Sequence, residues 1–273
     1  MFLTPFTSLT WAYQLHYYLC FRTYRRRQSL ALRSVHLADI FNEICARSDF
    51  HLLEVKSDAA QVLCLLSLRP AHTISKTLQI MKSNSARHIG IAKHVWARGY
   101  FARSVGRMRI AAVRQYLENQ SEHHGYNARM LPPVYRYRTR DPVKLTAAHC
   151  IFDLSHHLVL ATRKRKGIFN SQLGKCLSEY WLRVASARGF AIDQISVVPE
   201  HVHLIVRTVP SMSVEECALL LMNNGQYFIA KNHPQVLVDV GLDQLWESSA
   251  YAGTCGDFTT ASVKAWLRRQ GGR

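Results

Sequence analysis

The segment Ile195-Ser196-Val197-Val198-Pro199-Glu200-His201-Val202-His203-Leu204-Ile205-Val206 decides how the rest of the chain is read. It is apolar and rich in β-branched residues, as buried strands are. Residues two apart on a strand share a face. His201 and His203 therefore point the same way from one rigid element, as a divalent-metal site requires.

Working outward, the second half of the chain reads as strand 155–162, the basic run Arg163-Lys164-Arg165-Lys166, helix 172–187 ended by Gly189, strands 190–198 and 201–208, helix 213–230, a last strand through Trp246 and 251–255, and a helix 259–270 after Gly256. Ser213 suits the N-cap of its helix, with Glu215 and Glu216 in the first turn. The first half repeats this order. It reads as strand 15–21, the basic run Arg22-Thr23-Tyr24-Arg25-Arg26-Arg27, helix 37–47, strands 50–56 and 61–68, helix 73–89, strand 100–105 behind Trp96, and helix 109–120 after Gly106. Gln61 and His201 are 140 apart; Trp96 and Trp246, and Gln120 and Gln270, are each 150 apart. The ten extra residues fall near 232–241, a loop-like stretch. Between the halves, residues 125–142 carry Pro132-Pro133 and four arginines and read as an extended linker. At about 3.3 Å per residue it spans about 55 Å, enough to cross a small domain. The expected organisation is residues 1–124, a linker 125–142, and residues 143–273. Each half is a βαββαβα unit, and the fold class is α/β, a sandwich with an antiparallel central sheet.

The repeat exposes a complementarity. In helix 109–120, Tyr116 and Gln120 are four apart and share a face. A phenolate that attacks phosphorus, beside an amide oxygen able to join two histidines as a third metal ligand, suits phosphodiester chemistry. The positions equivalent to His201 and His203 in the first half are Gln61 and Leu63, and leucine cannot bind a metal. The second half has the histidines, but Trp266 stands where the tyrosine would be. Neither half is complete, and the surviving parts make one full set. Tyr227, on the long helix of the second half, is the rival nucleophile.

The chain has 273 residues and a formal charge of +17. That surplus points to a polyanion, most often nucleic acid. It is uneven: residues 1–141 hold 21 Lys+Arg against 8 Asp+Glu, and residues 142–273 hold 14 against 10. Both basic runs are candidate DNA contacts: Arg22, Arg25, Arg26 and Arg27 with Tyr24 as a base-stacking residue, and Arg163, Lys164, Arg165 and Lys166. The seven cysteines form no CxxC and read as thiols of a reducing compartment. No apolar run reaches the length of a membrane span, and the N-terminus lacks the features of a signal peptide. A cytoplasmic protein without a membrane partner is expected.

Pro199-Glu200-His201-Val202-His203-Leu204-Ile205-Val206 resembles the histidine–hydrophobe–histidine (HUH) strand of the single-tyrosine transposases, those of the smallest bacterial insertion sequences and the REP-associated tyrosine transposases. Residues 113–120 resemble their tyrosine helix. The run Thr23-Tyr24-Arg25-Arg26, the helix Lys82-Ser83-Asn84-Ser85-Ala86-Arg87 and Trp96 before a strand match as well, and the likeness covers nearly the whole chain as two tandem copies. The resemblance implies two ferredoxin-like (RRM-like) HUH domains arranged as a pseudo-dimer. It implies cleavage and rejoining of hairpin-flanked single-stranded DNA through a 5′-phosphotyrosine, with Mg²⁺ or Mn²⁺. On it, Tyr116 is the nucleophile, His201, His203 and Gln120 are metal ligands, and Arg87 joins the DNA contacts. In the insertion-sequence branch the tyrosine helix of one subunit serves the histidines of the other. This chain would be a fused equivalent with one live site, internally duplicated and so able to act as a monomer, with Gly106 as the hinge of the crossing helix. The departures are that family dimers carry two live sites, and that Glu200 stands where Asn or Asp is usual. A domesticated hairpin-binding protein without nicking activity is the alternative. A replication or conjugative nickase is a further one, and nothing in the chain reads as a helicase.

Overall fold

The computed structural model describes residues 3–24, 34–58, 60–89, 95–107, 109–118 and 133–269. Gln120, Arg25, Arg26 and Arg27 lie outside them. The elements in order are β1 (Thr10–Gln14), β2 (His16–Thr23), α1 (Ser34–Arg47), β3 (His51–Ser57), β4 (Gln61–Ser67), α2 (Ile74–Ile89), β5 (Trp96–Val105), α3 (Ile110–Glu118), β6 (Tyr135–Arg138), β7 (Cys150–Asp153), β8 (Ser155–Thr162), α4 (Ser171–Arg188), β9 (Ala191–Val198), β10 (His201–Arg207), α5 (Val214–Asn232), α6 (Pro234–Asp239), β11 (Trp246–Cys255) and α7 (Thr260–Arg269).

Two mixed α/β layers result. One sheet has the order β3-β4-β2-β5-β7 and the other β1-β11-β8-β10-β9-β6. Their four central strands follow one antiparallel plan: β2 lies between β4 and β5, as β8 lies between β10 and β11. The edge strands reveal something the periodicity did not. β1 leaves its own half and pairs in parallel with β11, Thr10 opposite Ser249. β7 does the reverse, pairing in parallel with β5, Tyr100 opposite Cys150. Each half thus lends its first short strand to the other's sheet. Such four- and five-residue strands carry too little alternation to stand out in the sequence. Tyr135–Arg138, within the stretch between the halves, is extended and pairs with β9.

The long helices form because their apolar stripes have a sheet face to cover. Asn170 caps α4 by accepting from the Leu173 N–H at 2.8 Å, and Gly189 ends it at φ 74°, a left-handed conformation that suits glycine. Ser213 caps α5 by accepting from the Glu216 N–H. In the second half Trp181 of α4 stacks on Trp246 of β11 at 5.7 Å. The Trp246 indole donates to the Met222 carbonyl of α5. Its counterpart Trp96 donates to Ser85 of α2. The repeated tryptophan therefore does one job twice, pinning the last central strand to the long helix.

The terminal helices cross. After β5 and β11 the two stretches of backbone run side by side, with bridges Gly106 to Thr259 and Arg109 to Gly256. The Ile110 N–H donates to the Gly256 carbonyl and the Thr260 N–H to the Gly106 carbonyl, both at 2.8 Å. Ser104 Oγ donates to the Cys255 carbonyl, and its counterpart Thr254 Oγ1 to the Val105 carbonyl. A Cβ on Gly256 would sit 2.4 Å from the Ser104 carbonyl oxygen, so only glycine allows this approach. Beyond the crossing, Val113 and Leu117 of α3 pack on Ile205 and Cys255 of the second half. Leu267 of α7 packs on Leu65 and Val105 of the first.

Candidate functional site

The crossing brings Tyr116 to the face of β10 that carries the histidines. Its ring lies 6.1 Å from that of His203, edge to face. An ion pair reinforces the seat of α3: Arg114 reaches the buried Asp193 carboxylate on β9 at 3.4 Å, which Arg207 also holds at 3.0 Å. In the first half Gln61 donates to Asp58 at 2.8 Å, and Trp266 of α7, not a tyrosine, stands against Tyr18 at 6.1 Å.

The histidines form a linked set. His201 Nε2 and His203 Nε2 are 2.8 Å apart. His201 Nδ1 meets the Glu200 carboxylate at 3.1 Å, and His203 Nδ1 meets Nε2 of His157, from β8, at 3.0 Å. The His157 and His203 rings stack at 5.2 Å. Burial lowers the pKa of His201, opposed by the Glu200 carboxylate. Burial, then the neighbouring histidines and Arg165, hold His203 well below the usual imidazole range, and burial takes His157 to about 4. All three are neutral near pH 7. One tautomer serves both members of the pair. With protons on Nδ1, His201 donates to Glu200 and His203 to His157, and both Nε2 lone pairs are left converging.

That arrangement fits the ion the resemblance implies. Neutral imidazoles are the ligating form. Two donors about 2.1 Å from an octahedral ion, at right angles, lie about 3.0 Å apart, close to the separation seen. The other nitrogen of each imidazole has a partner, as is usual for metal-binding histidines. Gln120 lies outside the described residues, and among those described no group of three or more His, Cys, Asp or Glu is arranged to hold an ion by itself. Sequence reasoning does not single out His157. Its signal is the doublet His156-His157 on a strand adjacent to the histidine pair, and only the register of β8 on β10 says which of the two faces His203.

The basic residues divide. Arg163–Arg165 form a 3-10 turn directly after β8, with Lys164 and Arg165 at φ 55° and 49°. Such left-handed backbone away from glycine is a conformation held by its surroundings. Lys164, Arg165 and Lys166 are exposed, while Arg163 pairs with Asp243 at 3.6 Å. This turn is close enough to the histidines for Arg165 to bear on both. Arg22 is exposed at the end of β2 and Arg87 near the end of α2; Tyr24 is half-buried. Tyr227 is exposed on α5 with Lys231 over its ring at 5.5 Å.

A fold of two exchanged α/β layers, with a histidine pair on a strand facing a tyrosine on a helix from the other half, defines a class built by internal duplication. The family model described as "Transposase IS200 like" matches residues 11–120 and again residues 150–270. The chain belongs to that family and carries its domain twice. The ISDra2 transposase TnpA of Deinococcus radiodurans is 20% identical over 120 residues, 44% of this chain and 86% of that protein. Among solved structures, a transposase from Deinococcus radiodurans R1 is 27% identical, covering 40% of this chain and 92% of that one, with a TM-score of 0.33. The REP-associated tyrosine transposase bound to a REP hairpin is 12% identical over 45% of this chain and 72% of that one, with a TM-score of 0.30. Family membership makes the chain a transposase, a DNA-processing enzyme of a type that works with a divalent metal. No helix among the described residues is long and apolar enough to cross a membrane.

Proposed function

We propose that the chain cleaves and rejoins hairpin-flanked single-stranded DNA at one composite site, the first half (1–124) supplying Tyr116 and the second (143–273) supplying His201 and His203. The observation that carries this is the 6.1 Å approach of the Tyr116 and His203 rings, made by a helix that belongs to the half without the histidines. The Tyr116 phenolic oxygen forms the bond to a 5′ phosphorus and the bond from phosphorus to the 3′ oxygen breaks. The proton the phenol gives up is balanced by one taken up at the leaving 3′ oxygen. Rejoining is the reverse, so no external energy enters.

His201 and His203, with Gln120 as third ligand, would hold Mg²⁺ or Mn²⁺. When bound, such an ion offsets the negative charge that grows on the phosphoryl oxygens. His157 and Glu200 orient the two imidazoles. The turn Arg163–Arg165 and Lys166 grip backbone beside the cleaved bond, and Arg22, Tyr24, Arg25, Arg26, Arg27 and Arg87 hold the hairpin or its flank.

The test is a denaturing gel of labelled hairpin oligonucleotide with Mn²⁺ or Mg²⁺. Wild type and Tyr227→Phe should form a covalent adduct; Tyr116→Phe and His201→Ala should not. An adduct from Tyr116→Phe would end the composite-site reading. Tight hairpin binding with no adduct from wild type would establish the binding-protein alternative.

A further inference from the structure

The face of the first sheet that corresponds to the histidine site has been rebuilt. Sheet register gives the equivalences: His16 opposite Val105 matches Ser155 opposite Cys255. Tyr18 then stands for His157, Leu63 for His203, Phe101 for Tyr251, Arg103 for Gly253 and Trp266 for Tyr116. Two histidines and two tyrosines at the histidine site thus correspond to three aromatic rings and a leucine, and a glycine corresponds to Arg103. The result is a cavity of about 390 Å³ walled by Tyr18, Phe101, Arg103, Phe258 and Trp266, within the ~300–1,000 Å³ range of small-molecule sites. It shares Tyr18, Phe101 and Trp266 with a neighbouring cavity of about 530 Å³ that Arg22, Lys56 and Asp58 also line.

Two details bear on the occupant. Trp266 is 42% exposed and Phe258 50%, so large rings are held open to solvent where closing them would bury apolar area. The Arg103 guanidinium lies over the rings of both Phe101 (5.9 Å) and Phe258 (5.3 Å), with the Asp153 carboxylate at 3.5 Å. Rings backed by a guanidinium, with two cations against one carboxylate in the adjoining cavity, match an unpaired base on a phosphate backbone. The charge of the chain as a whole favours the same ligand.

We propose that this second site is a binding pocket for one unpaired nucleobase of single-stranded DNA, stacked on Trp266. The inference rests on the strand-cleaving reading only in taking single-stranded DNA as the ligand. In this arrangement the half without histidines holds a strand while the other half cuts.

The experiment measures affinity of the full chain for a 20-residue oligo-dT at several salt concentrations. Trp266→Ala should weaken binding on the order of 10-fold, the worth of stacking one base. Trp266→Phe should restore most of it and Trp266→Leu should not. The salt slope should stay at its wild-type value, because stacking releases no counterions. Wild-type fluorescence should be quenched by the oligonucleotide to a degree that Trp266→Phe loses. Unchanged affinity in Trp266→Ala would overturn the proposal, as would a loss accompanied by a shallower salt slope, or full affinity in Trp266→Leu. If Trp266→Ala instead abolishes self-association and leaves DNA affinity unchanged, the pocket is a contact between copies and the proposal falls. Failure of wild type to bind oligo-dT at all would overturn this proposal, while the strand-cleaving reading stands or falls separately on adduct formation with the hairpin oligonucleotide. Normal wild-type binding with an indifferent Trp266→Ala removes this inference alone.

Discussion

Shortening Leu117 to alanine tests whether the site needs the crossing of α3. Leu117 is fully buried among Val113, Ile205 and Cys255. Val113 and Leu117 are the two buried apolar anchors of a nine-residue helix. A helix that short does not persist in water without its docking surface. Burying two such side chains contributes about 1.5–3 kcal/mol each, and the partly exposed Arg114–Asp193 pair adds less. Leu→Ala in a buried setting costs about 2–5 kcal/mol, so Leu117→Ala removes roughly half of what holds α3 down. At about 1.4 kcal/mol per factor of ten, a loss of about 3 kcal/mol shifts the docking equilibrium more than about 100-fold. Ordering a nine-residue helix that does not persist alone costs most of what these contacts supply, so net docking is marginal. The single-turnover rate of adduct formation at saturating DNA should therefore fall by about 10- to 100-fold. The structure supplies a matched control. Leu267 occupies the equivalent position on α7, is 1% exposed, and docks on the sheet without histidines. Leu267→Ala makes the same chemical change at the same burial and should leave that rate within about twofold. Equal losses in the two variants would refute the composite site, because the rate would then be following general stability. An unaffected Leu117→Ala would refute it as directly.

His157→Ala should weaken Mn²⁺ binding about 10- to 100-fold by calorimetry. His157→Gln, whose amide oxygen can still accept from His203 Nδ1, should lose less; wild-type affinity in His157→Ala would remove His157 from the site. Gly256→Ala should destabilise the fold by about 1–3 kcal/mol in urea, because its Cβ would stand 2.4 Å from the Ser104 carbonyl oxygen; a neutral change would mean the crossing relaxes freely. His156 is buried against the Tyr17 hydroxyl at 2.9 Å, and burial lowers its pKa to about 3. The unfolded chain takes up that proton near pH 6.5 and the folded chain only near pH 3, so stability falls as pH drops through this window. At pH 5 the loss from this group is about 2 kcal/mol. Denaturation midpoints at pH 7 and pH 5 measure it, and a His156→Gln variant with an undiminished slope would contradict the assignment.

Much of the fold was legible because it is local and repeated. The apolar stripe of each helix, the β-branched strands and the caps Ser213 and Gly189 are short-range signals. Their recurrence at spacings of 140 and 150 residues shows the duplication without any coordinates. The third histidine of the cluster was less legible. His156 and His157 look alike in sequence, and the pleat decides that one bonds Tyr17 while the other meets His203. The exchanged strands β1 and β7 were invisible, since their pairing is fixed by partners more than 40 residues away.

From its sequence alone the chain is a duplicated α/β protein of the IS200-like transposase kind, with a histidine pair in one copy and a tyrosine helix in the other. An amphipathic stripe such as Val113 and Leu117 says which face of a helix is buried, but not which of two similar sheets it covers. Tertiary structure decided that, through the side-by-side crossing at Gly106 and Gly256. Gly256 lets the two backbone stretches touch where they cross, and each terminal helix docks on the opposite half. The same crossing sets Trp266 over the first sheet, where residues that read individually as losses form an aromatic pocket.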